Sequence, residues 1–247
     1  MTMTMRGNGS PTAGNPPTCG ACPAFQDNLC HIFTDAMFAD ALANTTVDDH
    51  YAPARRSLWR AGDTIGRVPV ICQGWAAASA TLSDGRRQIL SFLLPGDLVS
   101  AALIFEPVSH CAVDAVTELR YRAFPRGELQ QALSRKPDLL AIVSRISADE
   151  NARADRLATD LGRRGAAARI ASLILALAER LRKRGMMADN TMDFPLRQHH
   201  IADAVGLTVV HVGNVLAEFR RAGLVEINDR SLTIADQPAL RRIADEL

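Results

Sequence analysis

Residues 196–225 read LRQHHIADAVGLTVVHVGNVLAEFRRAGLV, and a single glycine divides this stretch into two helical patterns. Ile201, Ala202, Val205 and Leu207 are spaced as the buried side of a short helix that Gly206 closes. Val209, Val212, Val215, Leu216 and Phe219 then lay an apolar stripe along a second helix. Two helices joined by a glycine-containing turn form a helix-turn-helix. The second helix leaves Val210, His211, Gly213, Asn214 and Arg221 off the stripe, free to meet a partner. A helix of this width fits the major groove of B-DNA, so the pattern predicts a recognition helix.

Working downstream, Leu224 to Ile227 and Ser231 to Ile234 flank Asn228-Asp229-Arg230 as a hairpin, and Pro238 to Leu247 ends the chain as a helix. Upstream, Ala166 to Arg184 is a helix with Ile170, Leu173, Ile174, Leu177 and Leu181 on one face and Gly185 as its stop. That face is expected to pack on the helix-turn-helix, completing a winged helix over 163–247.

From Pro137 to Leu161 neither glycine nor proline interrupts the chain, which predicts a helix roughly 35 Å long. Leu140, Val143, Ser147, Glu150, Ala154, Leu157 and Leu161 recur at alternating steps of three and four, as at a coiled-coil seam. Polar or small groups at Ser147, Glu150 and Ala154 weaken that seam, so the expected homodimer is conditional. A plain surface helix is the alternative.

Between Ser57 and Pro125 the pattern changes to short runs, VPVIC, ASATL, RQILSFLL, CAVDAV and LRYRAF. Gln73-Gly74, Asp84-Gly85, Pro95-Gly96 and Thr117-Glu118 separate them, which argues an antiparallel sandwich or small barrel. Trp59 to Gly66 and Gln73 to Trp75 read as core and turn. With Thr117 and Glu118 as a two-residue loop, CAVDAV and LRYRAF should pair as a hairpin that sets Cys111 diagonal to Arg122.

The chain has 247 residues, 47% apolar and 22% charged, which fits a soluble protein of two domains. Its 28 Lys and Arg nearly balance 27 Asp and Glu, so any basic face must be local. No apolar run approaches the roughly 20 residues that span a bilayer, and MTMTMRGNGSPTAGNPP lacks the apolar centre of a signal peptide. A cytoplasmic protein without membrane contact is expected. In that reducing compartment five cysteines call for metal or redox chemistry rather than disulfides.

Residues 1–18 are too polar to fold and are expected to be disordered. Cys19, Cys22 and Cys30 follow in the spacing C-x2-C-x7-C, suited to a soft metal or an iron-sulfur cluster, which usually takes four such ligands. A zinc site with His31, or thiols without metal, are the alternatives. No nucleotide loop, carboxylate pair or nucleophile motif points to an enzyme.

Three N-terminal cysteines, a β-domain with DGRRQIL and LPGDLV, a long helix and a winged helix together resemble the CRP/FNR family of bacterial transcription regulators. The resemblance implies an α+β fold: a cyclic-nucleotide-binding-like antiparallel β-barrel (jelly roll) over 36–136, a dimerisation helix over 137–162 and the winged helix, with its helix-turn-helix at about 197–216. Residues 19–35 would form a cluster-binding segment. The closest branch is similar to FNR-type sensors, in which four cysteines hold a 4Fe-4S cluster whose conversion by oxygen abolishes the dimer and its DNA binding.

That branch implies a two-fold symmetric promoter site, a homodimer and, for an activator, RNA polymerase as partners. Contacts to DNA would come from Arg197, Thr208, Val210, His211, Gly213 and Asn214, with Arg220 and Arg221 on phosphates. The cyclic-nucleotide branch carries an Arg-Ser pair after the LPGD turn; here that place reads SAALIFEPVSHC, which disfavours cyclic AMP. Two departures stand out. Val210, Gly213 and Asn214 occupy places usually held by Glu, Ser and Arg, and Arg122 stands where the fourth cysteine usually lies. Cys111 is the nearest replacement ligand, and Cys72 the next. A regulator sensing haem, nitric oxide or thiol oxidation through His50, His110 or Cys72 is the rival reading.

Overall fold

The computed structural model describes residues 47–246. Seven strands open the described chain: β1 (Asp48–Ala52), β2 (Ser57–Trp59), β3 (Arg67–Gln73), β4 (Ala76–Thr81), β5 (Arg87–Leu93), β6 (Ala112–Ala115) and β7 (Leu119–Pro125). They form two sheets, ordered β1-β7-β3 and β2-β6-β4-β5. Ile71, Leu93, Leu103, Val113 and Leu119 fill the space between them. The expected closed barrel is therefore an open pair of sheets, each keeping its own edge strands.

The expected β6–β7 hairpin is also absent. Val113 faces Trp59 on β2 and Ala78 on β4, whereas Arg122 faces Asp49 on β1 and Val70 on β3. Thr117-Glu118 is a corner between sheets rather than a hairpin loop, because its long-range hydrogen bonds run to Trp75. Trp75 N donates to Thr117 Oγ1 at 2.9 Å, and Val116 N donates to Trp75 O at 2.8 Å. Gly74 is required there: its φ is +83°, and a Cβ would lie 2.0 Å from Glu118 O.

After the sheets come α1 (Arg126–Arg135) and α2 (Pro137–Arg163). Leu129, Leu139 and Val143 bury against Val68, Val70, Leu98 and Phe124, so the first two turns of α2 belong to the core of the β-domain. The chain then folds into α3 (Ala166–Lys183), β8 (Met187–Ala188), β9 (Thr191–Asp193), α4 (Gln198–Val205), α5 (Val209–Arg221), β10 (Val225–Asn228), β11 (Ser231–Ile234) and α6 (Gln237–Asp245). The winged helix is as expected, but its sheet has four strands, β10-β11-β9-β8. Two of these lie where the sequence showed only a connection.

Ile170, Ile174, Leu177 and Leu181 of α3 pack on α4, α5 and the wing, as their spacing predicts. The same core takes in Trp75, Ala77, Ile89, Phe92 and Leu94 from the second sheet. The β-domain and the winged helix thus share one apolar core. Its members are close to fully desolvated, and each large aliphatic side chain contributes about 1.5–3 kcal/mol.

Candidate nucleic-acid interface

The turn between α4 and α5 is set by two local devices. Gly206 ends α4 in the left-handed region at φ 66°, where a Cβ would also meet the Leu161 side chain at 3.0 Å. Thr208 caps α5: its side-chain oxygen accepts a hydrogen bond from His211 N at 3.2 Å. Val212, Val215, Leu216 and Phe219 are buried, as the stripe requires. Val209 is not; at the first turn it stands 45% exposed, beyond the reach of the core.

On the outer face Val210, His211, Asn214, Glu218, Arg220 and Arg221 are exposed together. Arg197, the N-cap residue of α4, is exposed beside them. Gly213 is half-buried because the Gln198 side chain lies on it, with Oε1 3.1 Å from where a Cβ would be. Sequence reasoning missed Gln198, since its place on the α5 surface depends on the crossing of two helices. The glycine inside a helical pattern was the one available signal.

Behind this face, charged side chains tie the helices to the β-domain. Arg87 on β5 directs Nε and Nη2 at Asp203 Oδ2 of α4, at 2.9 and 2.8 Å, and Nη1 at Asp114 Oδ2 of β6, at 3.4 Å. Beside it Gln88 donates to the Ala204 carbonyl at 2.9 Å, satisfying one of the last carbonyls of α4. His200 sits near this fork with its Nδ1 accepting from Arg197 N at 3.1 Å. Burial first, then His199 and Arg87, push its pKa down to about 4 against the pull of Asp203, so it is neutral near pH 7.

A second junction is buried. Asp97, in the LPGD turn, takes both Arg180 of α3 and Arg184 at its C-cap, and accepts from Leu94 N at 2.7 Å. Burial would raise its carboxyl, but the two guanidinium groups outweigh that and hold it below the ordinary carboxylate value. Arg184 also donates to Pro95 O at 2.8 Å, and Arg180 to Phe92 O at 2.9 Å. At the α2–α3 break Asp160, Arg164 and Ser172 make a third knot, with Ser172 Oγ donating to Asp160 Oδ2 at 2.8 Å.

The expected seam on α2 is only partly available to a second chain. Val143 is in the sensor core, and the Glu150 carboxylate turns back to its own chain, accepting from Ala101 N at 3.1 Å. Ala101 opens a short 3-10 turn, Ala101–Ile104, within the stretch SAALIFEPVSHC. Burial raises the Glu150 pKa. Leu140 and Ala154 are exposed, and Ser147, Leu157 and Leu161 partly so.

Cys19, Cys22 and Cys30 lie outside the described residues. Among the described residues no group of three His, Cys, Asp or Glu could hold a metal ion. Cys111 and Cys72 are both half-buried. Burial raises the Cys111 pKa, and Cys72 directs its sulfur at the Val70 carbonyl, 3.7 Å away. Arg122 is ion-paired with Asp49 at 2.8 Å. Among the described residues no single helix is long and apolar enough to cross a membrane.

Comparison with known proteins places two family models on this architecture: a cyclic nucleotide-binding domain over residues 50–136 and a Crp-like helix-turn-helix domain over residues 168–243. The chain is 30% identical to the nitrogen fixation regulation protein FixK of Rhizobium meliloti over 198 residues, 79% of this chain and 86% of the relative. It is 28% identical to the transcriptional activator protein FnrL of Cereibacter sphaeroides, over 86% of this chain and 85% of the relative. The structure of FixK2 from Bradyrhizobium japonicum matches with a TM-score of 0.75 at 23% identity, over 82% of this chain and 99% of that one.

Proposed function

The chain belongs to the CRP/FNR family of DNA-binding transcription regulators, and from that premise we propose that it reads a two-fold symmetric promoter site as a homodimer whose state responds to oxygen or redox conditions through an iron-sulfur cluster. The exposed face of α5 carries the DNA reading. His211 and Asn214, in its first two turns, address base edges, while Arg220 and Arg221 at its far end address phosphates. The two chains join along α2 through Leu140, Ser147, Ala154, Leu157 and Leu161, with Val143 and Glu150 acting from behind.

The spacing of Cys19, Cys22 and Cys30 is the observation that carries the cluster reading. Cys111 is proposed as the fourth ligand, with Cys72, whose sulfur lies 3.7 Å from the Val70 carbonyl, as the next candidate. Arg122, in the other sheet, lends Cys111 no support, and a buried, protonated thiol must lose its proton to bind iron. The cluster, when bound, supplies the reaction with oxygen; the chain's part is to hold it through four thiolates and to pass its state to α2.

Cyclic AMP remains disfavoured. Residues 100–111 hold no Arg or Lys, and the Glu150 carboxylate brings negative charge to the Ala101 amide that an anion would need. Anaerobic purification followed by iron and acid-labile sulfide analysis tests the proposal. Iron and sulfide in equal amounts, lost in Cys22→Ser, support it; a colourless, iron-free protein overturns it. Comparing Cys111→Ser with Cys72→Ser identifies the fourth ligand.

A further inference from the structure

The reading face of α5 has an unusual chemistry at its N-terminal end. Val210 is 73% exposed and Val209 45%, so two aliphatic side chains stand in water on the first turn of the helix. Neither belongs to the apolar stripe that holds the helix in place. One turn beyond Val210, at i+4 and therefore on the same face, is the exposed amide of Asn214. Between Val209 and Leu216 there is no Arg or Lys; the cations of this helix, Arg220 and Arg221, are confined to its last turn.

Each base pair offers the major groove a different set of groups. Thymine alone presents a methyl, adenine presents a donor and an acceptor that a carboxamide matches with two bonds, and guanine is most often read by Arg or Lys. A valine can make no hydrogen bond, so placing it against a polar base edge would strip water from groups left unpaired. Against a thymine methyl it buries apolar surface on both sides.

We propose that Val210 packs on a thymine methyl in each half-site and that Asn214 reads an adenine one step away, so that the centre of the half-site is built of A·T pairs. The proposal rests on the reading of α5 as the recognition helix and adds the base identity. Gly213 contributes by leaving room for Gln198, which sets a second carboxamide at the edge of the same face.

Deoxyuridine differs from thymidine only by the methyl that Val210 would touch, which makes it the probe. The full-length dimer is used to select half-sites from a randomised two-fold duplex library. Each thymine of the selected site is then replaced in turn by deoxyuridine, and binding is measured at fixed salt. One position should lower the parent's affinity about fourfold per half-site, the worth of one buried methyl. Val210→Ala should show a similar loss on the thymine duplex and no further loss at that deoxyuridine position. Val210 is exposed, so this variant removes no core contact, and the deoxyuridine series needs no variant at all.

A selected site that tolerates deoxyuridine everywhere overturns the thymine assignment and leaves α5 as a recognition helix. So does a Val210→Ala variant that loses as much as the parent on deoxyuridine. Failure to enrich any sequence overturns both.

Discussion

Asp97 and Arg87 do similar work in different surroundings. Each joins the β-domain to the winged helix through guanidinium and carboxylate groups. Asp97 is buried, holds two arginines and accepts a backbone hydrogen bond besides. Arg87 keeps 29% of its side chain exposed and divides its donors between Asp203 and Asp114. Desolvation makes the first junction costly to break and leaves the second open to water and salt. The contrast makes the Asp97 junction the stronger ionic tie of the two, while Ile201, Ala202 and Val205 also hold α4 in the shared apolar core.

The largest expected effect comes from breaking the buried junction. Asp97→Ala strands two arginines and should lower stability by about 3–5 kcal/mol, read from urea unfolding. An effect under about 1 kcal/mol, the usual worth of an exposed pair, would mean that the two junctions do not differ.

Glu150 extends the contrast to the long helix. Glu150→Leu should cost about 1–3 kcal/mol by leaving the Ala101 amide unpaired, whereas Glu150→Gln, which still accepts that hydrogen bond, should be close to neutral. Equal losses in both variants would show that charge rather than the hydrogen bond matters.

At the exposed fork the expected effect is smaller. Asp203→Asn should cost about 0.2–1 kcal/mol and should lose most of that at high salt. Its measurement is the salt dependence of protease cleavage at the α2–α3 break, around residues 163–166.

The last effect is one of pH. His200 titrates at about 4 when docked and near 6.5 when freed. A freed α4 therefore takes up a proton that the docked one refuses. Docking against β5 is at full strength above pH 6.5 and weakens as pH falls from there towards 4. Hydrogen exchange of α4 amides across that window should show the loosening, and His200→Gln should abolish its pH dependence.

Much of this was legible in the sequence because helical period and turn chemistry agreed. The α4–α5 motif, Gly206, the wing strands β10 and β11 and the apolar face of α3 all lie where residue spacing puts them. The β6–β7 error has a physical source. Thr117-Glu118 reads as a loop between two strands, but the hydrogen bonds that turn it into a corner come from Trp75, 42 residues away along the chain. Periodicity likewise put Glu150 on the seam face of α2 without revealing that Ala101 of the same chain would claim its carboxylate. Strands β8 and β9, of two and three residues, were too short to leave a pattern.

Whether the exposed face of α5 reads DNA sequence is decided most directly by base discrimination. Binding of the anaerobically prepared full-length protein is measured at one salt concentration, on its selected two-fold site and on a scrambled duplex, for the parent and Asn214→Ala. Asn214→Ala is expected to lose about 1–3 kcal/mol of discrimination while its affinity for the scrambled duplex is unchanged. Undiminished discrimination in Asn214→Ala, and in His211→Ala beside it, would contradict the assignment of this face.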